Sequence, residues 1–359
     1  MGHDRSMTAV RPPESSSPIS DKDLSPFGSI LDVAGIGVGH HQRTGRGWQT
    51  GTTVVSCAGG ATPGADVRGG GPGTRETDAL RPENLVDEIH AVCLTGGSAY
   101  GLAAADGVMA ELESRGLGVP VAEGLVVPVV PTAVIFDLAR GGDGNNRPGP
   151  DFGRRAAAAS LRTRSTPRWG SVGAGTGARS GGLQGGVGTA SVITRVELLD
   201  DQSFSFTVGA LAVVNSHGSA IDPQSGLPWQ RTARGWARPD REARQRLSTA
   251  RTTVTGGSLN TTIGVVATDA RLDKASATKV ATVAHDGLAR AVRPAHALVD
   301  GDTVFTLATG AVDWPPEARV GVMNAVTAAA ADVFALACTH AVVSARTIGA
   351  APAWFDCIG

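Results

Sequence analysis

Short apolar runs alternate with amphipathic segments along most of the chain. Runs rich in Val, Ala and Ile predict buried strands, because their apolar residues follow one another with few polar interruptions. Three such runs are HAVCLTGG at 90–97, GLVVPVVPTAVIFD at 124–137 and VGALAVVN at 208–215. Between the first two, SAYGLAAADGVMAELESRG at 98–116 has the apolar spacing of a helix. The pattern predicts a layered α/β protein.

A regular order of strand, helix, strand and helix begins abruptly at Thr261. TTIGVVAT at 261–268 predicts a strand, and LDKASATKVATVAHDGLARAV at 272–292 predicts an amphipathic helix. DTVFTLATG at 302–310 predicts the next strand, and an apolar helix is predicted over 320–343.

Two polar stretches interrupt the pattern. Residues 1–27 are rich in Ser and Pro and have no apolar periodicity, which predicts a disordered N-terminal tail. Residues 224–257 replace the apolar alternation with Arg, Pro, Gly and Trp, which predicts a surface excursion. We expect residues 28–359 to form a single domain.

Composition and charge exclude several functional classes. The 32 Lys and Arg residues nearly balance the 33 Asp and Glu residues and are scattered, so no nucleic-acid partner is expected. The four cysteines stand far apart with no histidine at ligand spacing, which argues against a metal site or a redox pair. The chain lacks a signal peptide and any run of about 18 apolar residues, so we expect a cytoplasmic protein with no membrane partner. The glycine clusters lack the spacing of a dinucleotide-binding motif or a phosphate-binding loop, so no cofactor is expected.

The dipeptide Asn260-Thr261 is the candidate for self-cleavage. It lies between the small, flexible loop GGSL and a predicted buried strand. A hydroxyl at the start of a strand can attack the preceding carbonyl if the loop is held in a strained turn, giving an ester that water opens. Cleavage would leave Thr261 with a free α-amine, whose reference pKa of roughly 7.7–8.0 suits a general base toward its own hydroxyl.

Seven blocks, in order, resemble the D-aminopeptidase-like (DmpA-like) peptidases of family S58. These N-terminal-nucleophile hydrolases include β-peptidyl aminopeptidases and nylon-oligomer (6-aminohexanoate-oligomer) hydrolases. The blocks are DVRGGGPGTRETDAL at 66–80, LTGGSAYGLAAADGVM at 94–109, VGAGTGA at 172–178, GGVGTAS at 185–191, LAVVNSHG at 211–218, NTTIGVVATDA at 260–270 and DGDTVF at 300–305. The resemblance covers roughly residues 28–345.

The resemblance implies an architecture and an assembly. It implies a four-layer αββα sandwich, the type shared with ornithine acetyltransferase, in which two packed β-sheets are covered by helices. It also implies cleavage into a large subunit, 1–260, and a small subunit, 261–359. A homotetramer of these cleaved heterodimers is expected.

The resemblance also implies the roles of four side chains. Thr261 corresponds to the nucleophile, and the Asn215 amide corresponds to an oxyanion-hole donor. Asp300 and Asp302 would orient Thr261 and its amine. Two carboxylates close to an ammonium group would raise the pKa of that amine.

The sequence departs from the family pattern in the surroundings of the nucleophile. Members carry a lysine in or beside the Gly-rich stretch, but this chain has no lysine between residues 23 and 273, and Arg179 or Gln184 stands nearest. Arginine cannot act as a base, so the resemblance assigns no proton-transfer role to Arg179 in place of that lysine. Phe136 falls where nylon-oligomer hydrolases have tyrosine. Tyr100 is the single phenol in the chain and is either a packed helix residue or a substrate contact.

The sequence thus predicts a self-processing amide hydrolase with an N-terminal threonine. We expect an aminopeptidase-like enzyme that acts on short peptides or small amino-acid amides through an acyl-enzyme at Thr261. One alternative is a 6-aminohexanoate-oligomer endohydrolase. Alternatives of other classes are an N-acyltransferase of the ornithine acetyltransferase type and a processed but inactive binding protein.

Overall fold

The computed structural model describes residues 28–162, 167–198, 202–232, 235–236, 238–252 and 259–358. The predicted N-terminal tail, 1–27, lies outside the described residues. The strands are β1 Ile36–Gly45, β2 Trp48–Val67, β3 Thr74–Arg75, β4 Ile89–Thr95, β5 Val119–Ala122, β6 Leu125–Val127, β7 Thr132–Val134, β8 Arg179–Ser180, β9 Leu183–Gln184, β10 Gly186–Glu197, β11 Ser203–Asn215, β12 Thr261–Ala270 and β13 Thr303–Val312. The helices are α1 Ala104–Glu113, α2 Pro150–Ser160, α3 Arg241–Thr252, α4 Lys274–Ala291, α5 Arg319–Val343 and α6 Trp354–Ile358.

Strand β2 connects two sheets. Its first half pairs with β1 and β4, and its last residues pair with β13. The register against β4 shifts between Ser56 and Ala61, and such an irregularity bends a strand out of its sheet. One sheet is therefore built from β1, β2, β4, β7 and β3, and the other from β10, β11, β12, β13 and the end of β2.

The two sheets bury their facing surfaces against each other. Successive side chains on a strand point to opposite faces. Leu94 of β4, Ile263 and Val265 of β12, and Phe305 of β13 accordingly belong to one buried cluster that draws on both sheets. This cluster is the central core.

Helices cover the two outer faces. Val266, which alternates with its inward-facing neighbours on β12, packs in a second cluster with Phe334 of α5. Cys93 of β4 packs in a third cluster with Val108 of α1. The layers run helix, sheet, sheet, helix, which confirms the predicted αββα sandwich.

Helix α5 forms much of the core on the outer face of the β10–β13 sheet. Over Pro316–Val343 the described chain is long and apolar enough to cross a membrane by composition, but 78% of its most apolar window is buried inside the fold. Gly264 of β12 lies against the Phe334 ring, so the strand and the helix approach closely. The apolar length of α5 is explained by its packing against the β10–β13 sheet.

Local backbone constraints explain where the structure departs from the predicted elements. The helix predicted over 98–116 begins as a 3-10 turn, and α1 starts only at Ala104. The run 124–137 is divided into β6 and β7, with Pro128 and Pro131 between them.

The interpretation of 224–257 as a surface excursion is wrong for α3, which buries Leu247 in the core because its apolar side chains share one face.

Candidate functional site

Three strand ends meet at one end of the β10–β13 sheet. Strands β12 and β13 are parallel, so Thr261 and Thr303 both stand at strand starts on the same side. Strand β11 runs antiparallel to β12 and ends there, with Asn215 paired directly to Thr261. A parallel bridge also joins Asn260 to Asp300. Sheet pairing thus brings the predicted residues together from distant parts of the sequence.

The Asn260–Thr261 peptide is buried and firmly held. Thr261 is 4% exposed, and its Oγ1 hydroxyl donates to the carbonyl oxygen of Asn260. The same carbonyl oxygen accepts the backbone N–H of Gly301 at 3.1 Å. The N–H of Asn260 donates to the carbonyl of Val299 at 3.0 Å. A hydroxyl and an independent N–H donor therefore converge on one peptide carbonyl.

Asp300 and Asp302 are buried and accept backbone N–H groups. Asp302 accepts the N–H of Thr262 at 2.7 Å through Oδ1, and its Oδ2 contacts Nδ1 of His296 at 2.8 Å. Asp300 accepts the N–H of His217 at 3.0 Å. Burial raises the pKa of the Asp300 carboxyl, and the charge of Asp302 raises it further.

Asn215 is fully buried at the end of β11. Its Oδ1 accepts a guanidinium N–H of Arg140 and the backbone N–H of Arg179 at 2.9 Å. Its Nδ2 donates to the carbonyl of Phe136 at 3.2 Å. These contacts fix the orientation of the Asn215 amide. The bond to Phe136 uses one of the two N–H groups on Nδ2.

Arg140 is the buried cation that contacts this cluster, and sequence analysis missed it. It is 7% exposed and lies in the turn after β7. Its Nη2 donates to the carbonyl of Leu259 at 2.7 Å and to the Asn260 Oδ1 at 2.9 Å. Ala139, immediately before it, has φ of 57°, a strained conformation that aims the chain here. The family pattern places a cation in or beside the Gly-rich stretch, whereas Arg140 comes from another segment of the chain. The sequence pattern therefore gave no indication of Arg140.

A second arginine lies beside the first. Arg179 donates from its Nη2 to the backbone carbonyl of Arg140. Burial lowers the pKa of Arg140 to about 10, and the nearby charge of Arg179 contributes to the same shift. The Arg140 guanidinium therefore stays charged at neutral pH.

The other residues predicted around the nucleophile have different surroundings. Gln184 is fully buried, and its Nε2 donates to the carbonyls of Thr176 at 3.2 Å and Ala178 at 3.0 Å, so it supports the Gly-rich turn. Tyr100 is 63% exposed and lies under the Arg147 guanidinium, 3.7 Å from it. It is therefore not a packed helix residue. Phe136 contributes its carbonyl to Asn215.

The Gly-rich segment before β3 covers the turn between Asp300 and Asp302. The N–H of Gly71 donates to the Asp300 carbonyl at 2.9 Å, and the N–H of Gly69 donates to the Asp302 carbonyl at 3.2 Å. A Cβ atom at Gly69 would lie 2.2 Å from the Asp302 nitrogen, so the two backbones approach closely. This contact gives the first block of the resemblance a physical role.

A model of peptidase family S58 matches residues 28–352. The chain belongs to peptidase family S58. Membership makes it an aminopeptidase-like hydrolase of amide bonds.

Similar proteins agree with the family. An uncharacterized aminopeptidase of Mycobacterium tuberculosis is 48% identical over 347 residues, which cover 91% of this chain and 97% of that protein. A 6-aminohexanoate-oligomer endohydrolase of Kocuria sp. is 28% identical over 295 residues, which cover 79% of this chain and 76% of that one.

A solved structure supports the fold. The L-aminopeptidase D-Ala-esterase/amidase of Ochrobactrum anthropi, described as a variant of the Ntn hydrolase fold, matches with a TM-score of 0.68 at 21% identity. The match covers 94% of this chain and 93% of that structure. The sandwich of this S58 chain is thus of the Ntn hydrolase type.

Gly301→Ala should lower amide hydrolysis by this S58 enzyme by about 10²-fold or more, because misplaced reacting groups lose rate steeply. A Cβ atom at position 301 would lie 2.9 Å from the Thr261 Oγ1 and 2.7 Å from the Gly71 carbonyl oxygen. Gly59→Ala is the matched control, since a Cβ atom there meets nothing within 4 Å. Anilide hydrolysis by the purified variants measures the effect. Equal rates for both variants would show that close packing at Gly301 is unimportant.

Proposed function

We propose that this protein cleaves itself between Asn260 and Thr261 and then hydrolyses amides with the N-terminal Thr261. The observation that carries the proposal is the convergence on the Asn260 carbonyl, where the Thr261 hydroxyl and the Gly301 N–H contact the same oxygen. A hydroxyl beside the carbonyl it would attack suits an intramolecular acyl shift. The Gly301 N–H suits the negative charge that develops on that oxygen.

Self-cleavage would proceed in two balanced steps. Oγ1 of Thr261 adds to the Asn260 carbonyl carbon, the C–N bond breaks, and the hydroxyl proton ends on the Thr261 nitrogen. The product is an ester between Asn260 and Thr261 with a free amine. Water then opens the ester, giving a carboxylic acid on Asn260 and restoring the Thr261 hydroxyl.

Turnover of a substrate would reuse the same atoms. The Thr261 α-amine takes the proton from its own hydroxyl, whose oxygen adds to the substrate carbonyl carbon. The substrate C–N bond then breaks, the α-ammonium gives the proton to the leaving amine, and water hydrolyses the resulting ester to release the acid and restore the Thr261 hydroxyl. Asn215 pairs directly with Thr261 across the sheet, and its remaining N–H suits the oxyanion role. The buried carboxylates of Asp300 and Asp302 favour the charged form of the amine.

We propose short peptides and small amino-acid amides as substrates. The aminopeptidase description of the 48% identical mycobacterial protein supports this class. The similarity to the more distant 6-aminohexanoate-oligomer endohydrolases supports a second candidate, internal cleavage of such oligomers. An acyltransferase would instead pass the acyl group to an amine, and product analysis with water as sole acceptor separates the two.

Purified protein should consist of two pieces, residues 1–260 and 261–359, because the Asn260–Thr261 bond is the one that Thr261 can attack. Thr261→Ala should remain a single chain, since alanine lacks the hydroxyl. Thr262→Ala, one residue further along β12, is the matched control and should be cut normally. Intact mass and N-terminal sequencing provide the measurement. An active protein that persists as one 359-residue chain would rule the proposal out.

Asp302→Asn should lower turnover by about 10²-fold or more while leaving the fold intact. Asp302 accepts N–H groups through both oxygens, so an asparagine would turn an NH₂ group toward a donor. Asp313→Asn makes the same change at an exposed carboxylate paired with Arg271 and should be neutral. Anilide kinetics and thermal unfolding measure the two effects. If Asp302→Asn cleaves itself normally and hydrolyses the anilide at the wild-type rate, Asp302 is not part of the site.

Alanyl and β-alanyl anilides should be cut faster than a 6-aminohexanoate oligomer at equal concentration. The N–H of Asn260 donates to the Val299 carbonyl, which marks a place where the amine of a short α- or β-amino acyl group can donate. Released aniline and oligomer fragments measure the comparison. If the enzyme cuts the oligomer rapidly at internal bonds and cleaves neither anilide, the aminopeptidase proposal is wrong and the endohydrolase alternative takes its place.

A further inference from the structure

The Arg140 guanidinium binds the acyl side of the Asn260–Thr261 bond. Its Nη2 donates to the Asn260 side-chain oxygen at 2.9 Å and to the Leu259 carbonyl at 2.7 Å. Its Nη1 is anchored on Asn215, which pairs with Thr261. The guanidinium is thus positioned by the sheet end that carries the nucleophile.

The acyl side of this bond is also where a substrate must bind. Self-cleavage joins the Asn260 carbonyl carbon to Oγ1 of Thr261 as an ester, and turnover joins the substrate carbonyl carbon to the same oxygen. Once Asn260 has been released, the first residue of a substrate occupies the position that Asn260 held. Asn260 is therefore a guide to the acyl residue that the site accepts.

We propose that Arg140 selects the acyl residue, so that the enzyme prefers amides whose acyl residue carries a side-chain oxygen, as in asparaginyl and aspartyl amides. This inference rests on the proposed self-processing function and names its substrate class. The structure places Arg140 and Arg179 side by side.

Physical chemistry sets the expected size of the preference. A hydrogen bond from a charged donor is worth about 1.5–3 kcal/mol, which corresponds to about 10–100-fold in rate constant. Leucine is the fitting comparison because it matches asparagine in shape but has no oxygen. With leucine as acyl residue, the buried Nη2 loses the acceptor that Asn260 supplies.

The first experiment compares asparaginyl, aspartyl, leucyl and alanyl p-nitroanilides on the wild-type enzyme. The kcat/KM for the asparaginyl anilide should exceed that for the leucyl anilide by about 10–100-fold. If the protein is self-cleaved and cuts the alanyl anilide but handles leucyl as well as asparaginyl, the role of Arg140 is refuted while the proposed function stands. If it is uncut and cuts no anilide, the proposed function itself fails.

Substitution of Arg140 tests the assignment to this side chain. In Arg140→Gln the asparaginyl-to-leucyl ratio should fall close to one, whereas Arg195→Gln should preserve it. Arg195 is a suitable control because it is an exposed arginine of β10, where it donates to Ser203. An unchanged ratio in a self-cleaved Arg140→Gln enzyme would overturn the proposal.

Self-cleavage provides a readout that keeps Arg140 intact. Asn260→Leu should slow the appearance of the 99-residue fragment (359 − 260 = 99) by about the same factor as the anilide ratio. Asn260→Asp keeps an oxygen for Arg140 and should be cut much faster than Asn260→Leu. Asn260→Leu cleaved at the wild-type rate would contradict the proposal even if Arg140→Gln fails to fold.

Discussion

Parallel pairing of β12 with β13 is the interaction on which the site depends. Parallel strands begin at the same edge of a sheet, so the start of β12 at Thr261 and the turn before β13 become neighbours. Such a pair needs a long crossover connection, and α4 supplies it while burying its apolar face against the sheet. The antiparallel strand β11 then ends beside Thr261 and contributes Asn215. A shift of one residue in either register would turn these side chains to the opposite face.

The same geometry places opposite charges on the two sides of the Asn260–Thr261 bond. On the acyl side, Arg140 donates to the Leu259 carbonyl and to the Asn260 side chain. On the amine side, the Asp302 carboxylate accepts the N–H of Thr262. Burying these charges is costly, and hydrogen bonds to both backbone and side-chain groups offset the cost. Donors beside the carbonyl and an anion beside the amine make the buried peptide bond an environment suited to acyl transfer.

The sequence identifies those parts of the site that are local along the chain. Asn260 and Thr261 are adjacent before a predicted strand, so residue type and position indicated a candidate cleavage point, whereas the roles of Asp300 and Asp302 came from the resemblance to family S58. Arg140 could not be found in this way, because its contacts with Asn215 and Asn260 arise only when three distant segments meet at one sheet end. Helix α3 was hidden for a related reason, since its few apolar residues are separated by arginines and gain meaning only against the core. The layers were accessible because apolar alternation on β4 and β12 records which face each strand buries.

A single acyl subsite for the proposed self-cleavage and turnover would constrain how the enzyme can change. If Arg140 recognises the residue before Thr261 in both reactions, a substitution that admits a new substrate also alters the rate at which the enzyme is formed. The residue at 260 and the acyl residue of the substrate then have to change together, whereas the leaving-amine side is free to vary. Substrate divergence within such a fold is therefore expected to follow pairs of residues, one on the guanidinium side and one at the cleavage point, instead of single pocket positions.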